Sequence, residues 1–134
     1  MIGPAITAVC QCVQPAGGRG GGRVSSAAFA GTAGLAAANG ALEARAAPLA
    51  VELAPVRVNA VSPGVAGTAW WHGRPAEQRQ AYFGAAAAVT PARRVGQPED
   101  VAGAIVYLAG AGFVTGTVLE CTGGLNLTAA ALAS

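Results

Sequence analysis

The sequence predicts an α/β protein, a partial doubly wound parallel sheet in which the chain supplies the carboxyl half. Three observations predict it. Short strand-like runs alternate with longer helical patterns, which argues for a parallel sheet covered on both faces. The clearest strand, Val56 to Ser62, stops abruptly at Pro63-Gly64. Pro75 and Pro98 each stand where a helix can begin, because the first helical residue has no hydrogen bond to lose.

The elements follow in order. Ile2 to Val13 is apolar and rich in small residues, and a helix ending before Pro15 is expected. Gly17 to Gly22 reads as a connector: it does not satisfy G-x-G-x-x-G, and no strand precedes it. Val24 to Ala28 reads as a short strand. Thr32 to Ala54 reads as a helix, with Leu42, Ala46, Leu49 and Leu53 along one face. Pro48 should kink or break it, since an interior proline removes a backbone donor. Val56 to Ser62 is β-branched and short, as strands are. The next helix starts at Pro75 and runs to about Ala88, with Glu77 in its first turn. Another opens at Pro98, with Glu99 and Asp100 near its positive end. Val101, Ala104, Ile105 and Leu108 line one face, and Gly110 is the expected C-cap. Thr117 to Cys121 reads as the last strand, before Gly123-Gly124. The whole is one partial domain over 1–134: a helix and connector over 1–22, a core over 23–125, and a tail over 126–134 without an assigned structure.

Composition narrows the function classes. The chain has 134 residues, and charged residues make up 10%, so its surface is poor in charge and suits assembly with another surface. Net charge is +2, carried by eight arginines and no lysine. Without a basic cluster, nucleic acid is not an expected partner. No apolar run reaches the ~20 residues of a membrane span, and no leader pattern is visible. A cytoplasmic location is therefore expected. Cys10, Cys12 and Cys121 read as reduced thiols. With His72 the sole histidine, no metal site is expected.

Three strings carry a resemblance. They are Val51-Glu52-Leu53-Ala54-Pro55-Val56-Arg57-Val58-Asn59-Ala60-Val61-Ser62-Pro63-Gly64, then Arg94-Val95-Gly96-Gln97-Pro98-Glu99-Asp100-Val101-Ala102, then Phe113 to Leu119 followed by Gly123-Gly124. In that order and spacing they resemble the short-chain dehydrogenase/reductase family, over about Gly22 to Leu125. The resemblance implies a Rossmann-like sheet and a cofactor, NAD or NADP. It implies that Pro63, Gly64, Val65 and Thr68 form the loop against the nicotinamide. Glycine allows close approach to a flat ring and proline stiffens the turn, although the same pair can simply end a strand. Trp70, Trp71, Tyr82 and Phe83 fall in the family's substrate-binding segment. They either line a pocket or pack together, and the sequence leaves both open.

The family's proton relay uses Ser, Tyr and Lys. Tyrosine has an ordinary pKa of ~10, so a lysine one helical turn on must lower it. Here Leu35 stands at the tyrosine position and Asn39 at the lysine position. Leucine has no proton to give, and asparagine carries no charge. Ser26 is the candidate for the family serine, nine residues before Leu35. The family's phosphate turn, G-x-x-x-G-x-G, has no counterpart in these residues, and Thr122 replaces its aspartate before Gly-Gly. The expectation is an oxidoreductase relative, truncated and impaired in catalysis, with weak cofactor binding by this chain alone. A homo-oligomer (dimer or tetramer) or a complementary half-domain is the expected partner. The alternative is a non-enzymatic interaction module built on the same fold.

Overall fold

The computed structural model describes residues 5–9, as backbone, and 33–128. Its elements are β1 (Ala5–Val9), α1 (Ala33–Ala44), α2 (Ala46–Glu52), β2 (Arg57–Pro63), a 3-10 turn (Ala69–Gly73), α3 (Ala76–Val89), α4 (Pro98–Gly110), β3 (Val118–Cys121) and α5 (Leu125–Thr128). The three strands are parallel in the order β1-β2-β3. The α/β class and parallel sheet expected from the sequence are therefore present.

β2 is the central strand, and all seven of its residues are buried. Its two sets of alternate residues meet different helices. Ser62 bonds Glu43 on α1, whereas Arg57 and Asn59 reach the end of α4 and the segment after it. A strand covered on both faces buries its residues without alternation, and Arg57 to Pro63 are buried throughout.

The first expected element is corrected. The helix read over Ile2 to Val13 is the strand β1, paired with β2 from Ala5↔Arg57 to Val9↔Val61. A short apolar run does not reveal its period, and Ile6, Thr7 and Val9 are β-branched residues that favour strands. The Gly17–Gly22 connector and the Val24–Ala28 strand lie outside the described residues.

The break expected at Pro48 within the helix over Thr32 to Ala54 is present but falls earlier, at Arg45, between α1 and α2. Pro48 sits in the first turn of α2, where its missing N–H costs no bond. The expected stripe is only partly the buried face: Ala46 is buried and Leu49 half-buried, but Leu42 and Leu53 are exposed, while Asn39 and Glu43 outside the stripe are buried. The break resets the helical phase, so a stripe counted across it does not stay on one side.

α4 is held at both ends. Gln97 and Asp100 form a capping box, and the Asp100 carboxylate accepts from the Gln97 N–H at 2.7 Å. At the other end, the buried Arg57 guanidinium donates to the carbonyls of Leu108 (2.8 Å), Ala109 (2.7 Å), Ala111 (2.8 Å) and Val114 (3.2 Å). A cation there satisfies terminal carbonyls and complements the helix dipole. The C-cap is Ala111 rather than Gly110.

A second small core lies between the 3-10 turn, α3 and α5. Val65, Trp71, Ala86 and Leu125 are buried in it, with Tyr82, Phe83, Val89 and Val95 packed around them. The short α5 was not assigned from sequence; Leu125 anchors it and Thr128 Oγ1 donates to Val89 O at 3.0 Å.

Candidate functional site

The site lies at the carboxyl end of β2, where ligands of open α/β sheets bind. Pro63 ends the strand and Gly64 turns the chain. The Gly64 N–H donates to Cys121 O at 3.0 Å. A Cβ on Gly64 would lie 2.9 Å from Thr122 Cα, so only glycine fits against β3 here. This close approach gives Gly64 a packing role of its own. Beyond it, Val65 is buried, and its carbonyl accepts from the Gly96 N–H at 2.8 Å. The Gly67 N–H returns a bond to Gly96 O at 2.9 Å. Trp71 Nε1 donates to Ala66 O at 2.9 Å. Thr68 starts the 3-10 turn through its backbone alone, and its half-exposed hydroxyl has no partner among the described residues. Pro63, Gly64, Val65 and Thr68 thus form one braced loop.

α1 carries Leu35 and Asn39 one turn apart. Asn39 is 2% exposed, and Glu43, a further turn on, is buried too. Glu43 Oε1 accepts from Ser62 Oγ at 2.7 Å. The face that the family resemblance assigns to the relay is thus tied to the strand that delivers the loop. Glu43 escaped the sequence reading. Its spacing of four from Asn39 was the available signal, and the misplaced leucine stripe hid it. Ser26 lies outside the described residues.

The aromatic segment resolves toward packing. Trp71 meets Tyr82 at 4.8 Å and Phe83 at 5.3 Å between ring centroids, the second pair edge-on. The Arg74 guanidinium lies 5.5 Å from the Trp71 ring. Trp70 is exposed and stands apart from this cluster.

A cleft of about 300 Å³ opens beside the loop, lined among others by Val65, Arg94, Gly96, Asp100, Cys121 and Thr122. Arg94 grips Asp100 with two bonds of 2.6 and 2.8 Å. That grip, with the Gln97 N–H, holds the Asp100 carboxyl well below the usual carboxylate range. Burial pushes the Cys121 thiol up, so it is a poor nucleophile, and its Sγ rests 3.5 Å from Asp100 O. Cys121 is a half-buried free thiol; Cys10 and Cys12 lie outside the described residues. Thr122 Oγ1 bonds Asn126 at 2.6 Å and accepts from the Gly124 N–H at 3.2 Å, filling a structural role before Gly123-Gly124.

Among the described residues no group of three or more His, Cys, Asp or Glu could hold a metal. No helix among them is long and apolar enough to cross a membrane.

Comparison with known proteins adds four findings. A family model described as enoyl-(acyl carrier protein) reductase matches residues 5–126. A short-chain dehydrogenase/reductase of Stachybotrys chlorohalonatus is 44% identical over 93 residues, covering 69% of this chain and 36% of the relative. Cis-4-hydroxycyclohexanecarboxylate dehydrogenase of Sinomonas cyclohexanicum is 41% identical over 101 residues, covering 74% of this chain and 36% of the relative. Among solved structures, a small-chain dehydrogenase in complex with NADPH superposes with a TM-score of 0.79 at 35% identity, over 92% of this chain and 51% of that one. The chain thus spans a little over a third of these relatives and about half of that structure.

Proposed function

Given that the chain belongs to the short-chain dehydrogenase/reductase family, we propose that it is an oxidoreductase relative that keeps the nicotinamide-side loop and lacks the proton relay. One observation supports the reading: Asn39, which the resemblance sets at the family's lysine position, is 2% exposed on α1. A neutral amide there cannot lower the pKa of a neighbouring acid. Leu35, one turn earlier, has no proton to transfer. A carbonyl reduction needs a hydride and a proton, and these two positions leave the proton without a donor.

The loop residues fit a nicotinamide dinucleotide on one side. Thr68 offers an uncommitted hydroxyl at the loop tip, and Pro63-Gly64 is braced rather than slack. Such a cofactor would supply the hydride. Among the described residues no glycine-rich strand-to-helix turn is present to hold its pyrophosphate. The reading therefore expects weak binding of NADH or NADPH by this chain, weakened further by Thr68→Val. Isothermal titration with both nucleotides checks this, and tight binding unaffected by Thr68→Val would overturn it.

A second reading is favoured by the surface. Val106, Tyr107 and Phe113 on and after α4 are 71%, 60% and 104% exposed. Apolar groups this exposed suit an assembly face, so the chain would serve as a non-enzymatic interaction module. Light scattering showing a clean monomer at all concentrations would count against that reading.

A further inference from the structure

We propose that Glu43 is a positioning residue: through Ser62 it sets the Pro63–Gly64 turn from the α1 side, and nicotinamide binding at the turn depends on that link. The dependence on nicotinamide rests on the proposed function; the positioning does not.

A carboxylate is among the groups least often buried without a partner. Glu43 is 7% exposed and Ser62 is 0% exposed. Their 2.7 Å contact has the length of a charge-assisted bond. Ser62 is the residue immediately before Pro63, so a bond at its side chain acts where the strand hands over to the turn. The bracing from the other side is backbone: Gly64 N–H to Cys121 O, Gly96 N–H to Val65 O, and the contact of Gly64 with Thr122. Those ties lead to β3 and to the segment before α4. The Glu43–Ser62 bond leads to α1, the helix that carries Leu35 and Asn39. It therefore fixes the register between the relay positions and the turn. Neither group is needed for packing alone, since an apolar pair of similar volume would fill the same space.

Hydrogen exchange of the whole chain tests this, comparing Glu43→Ala, Glu43→Gln and Ser62→Ala. The reporters are the Gly64, Gly67 and Thr68 amides, with Val58 to Val61 as the internal control. Glu43→Ala and Ser62→Ala should speed exchange at the reporters by about tenfold relative to the control, the scale of one lost hydrogen bond. Glu43→Gln should keep most of the protection, because its amide oxygen still accepts from Ser62, though without the charge. A uniform rise along β2, or Glu43→Gln matching Glu43→Ala, would overturn the positioning role. If Glu43→Ala fails to fold, Ser62→Ala decides. NADPH titration of the same variants reads the second clause. Affinity should fall wherever the turn loosens; unchanged affinity in a loosened variant would overturn it. If the unaltered chain binds no NADPH, the proposed function and this clause fall together, while the exchange rates still decide the positioning.

Discussion

Arg57 shows how one side chain organises several parts of this molecule. Its guanidinium donates to four carbonyls at the end of α4 and just beyond. Arg57→Ala would take the shared donor from one buried and three partly buried carbonyls and should cost about 1–3 kcal/mol, read by urea unfolding. Arg57→Lys should recover only part, because an ammonium cannot fork across several acceptors. At Gly64, the 2.9 Å approach of Thr122 predicts that Gly64→Ala destabilises by about 1–3 kcal/mol from overpacking. Asp100 predicts a pH dependence. Its folded-state pKa is depressed, so its contribution is complete above the ordinary carboxylate pKa of ~3.9 and is lost as pH falls through and below that value. The paired Arg94 has its pKa raised, so its contribution is lost only in strong alkali. Acid titration of the melting temperature checks this, and Asp100→Asn should flatten the acid limb. Pro63 and Gly64 were legible in the sequence because neighbours in the chain define their turn. The roles of Arg57 and Asn59 were not, because their partners lie more than fifty residues away.

At the scale of elements, Pro75 and Pro98 marked the starts of α3 and α4 closely, because proline fixes its own φ and gives up a donor that helix starts do not use. β1 was not legible. Its five residues carry no period long enough to separate strand from buried helix, and only the pairing with β2 decides it. The break at Arg45 was foreshadowed by Pro48, but the face it turned inward was not, since Asn39 and Glu43 are polar. Polar residues on a buried face defeat any reading based on apolar periodicity. Two helices also hold removable weakness. Gly84 in α3 and Gly103 in α4 have open space where a Cβ would stand. Gly84→Ala and Gly103→Ala should each stabilise by about 0.5–1 kcal/mol, read as a rise in melting temperature.

The whole molecule, as described, is a three-stranded parallel sheet with β1 and β3 at its edges. Apolar side chains are exposed on α4 and the following segment, and at Val51 on α2; the proposed assembly face is the group on and after α4. We expect melting to depend on protein concentration, as it does when association stabilises the folded state, and Phe113→Ser with Tyr107→Ser to raise the monomer fraction in light scattering. The fold was legible at this scale because the three strings that define it are intact. The proposal that the proton relay is absent rests on Leu35 and Asn39, which the family resemblance sets at the tyrosine and lysine positions. The direct measurement is therefore carbonyl-dependent oxidation of NADPH by the unaltered chain, followed by absorbance across a panel of ketones and aldehydes. The account predicts no turnover above the rate without protein. Sustained turnover, abolished by substitution in the Pro63–Gly64 loop, would contradict it.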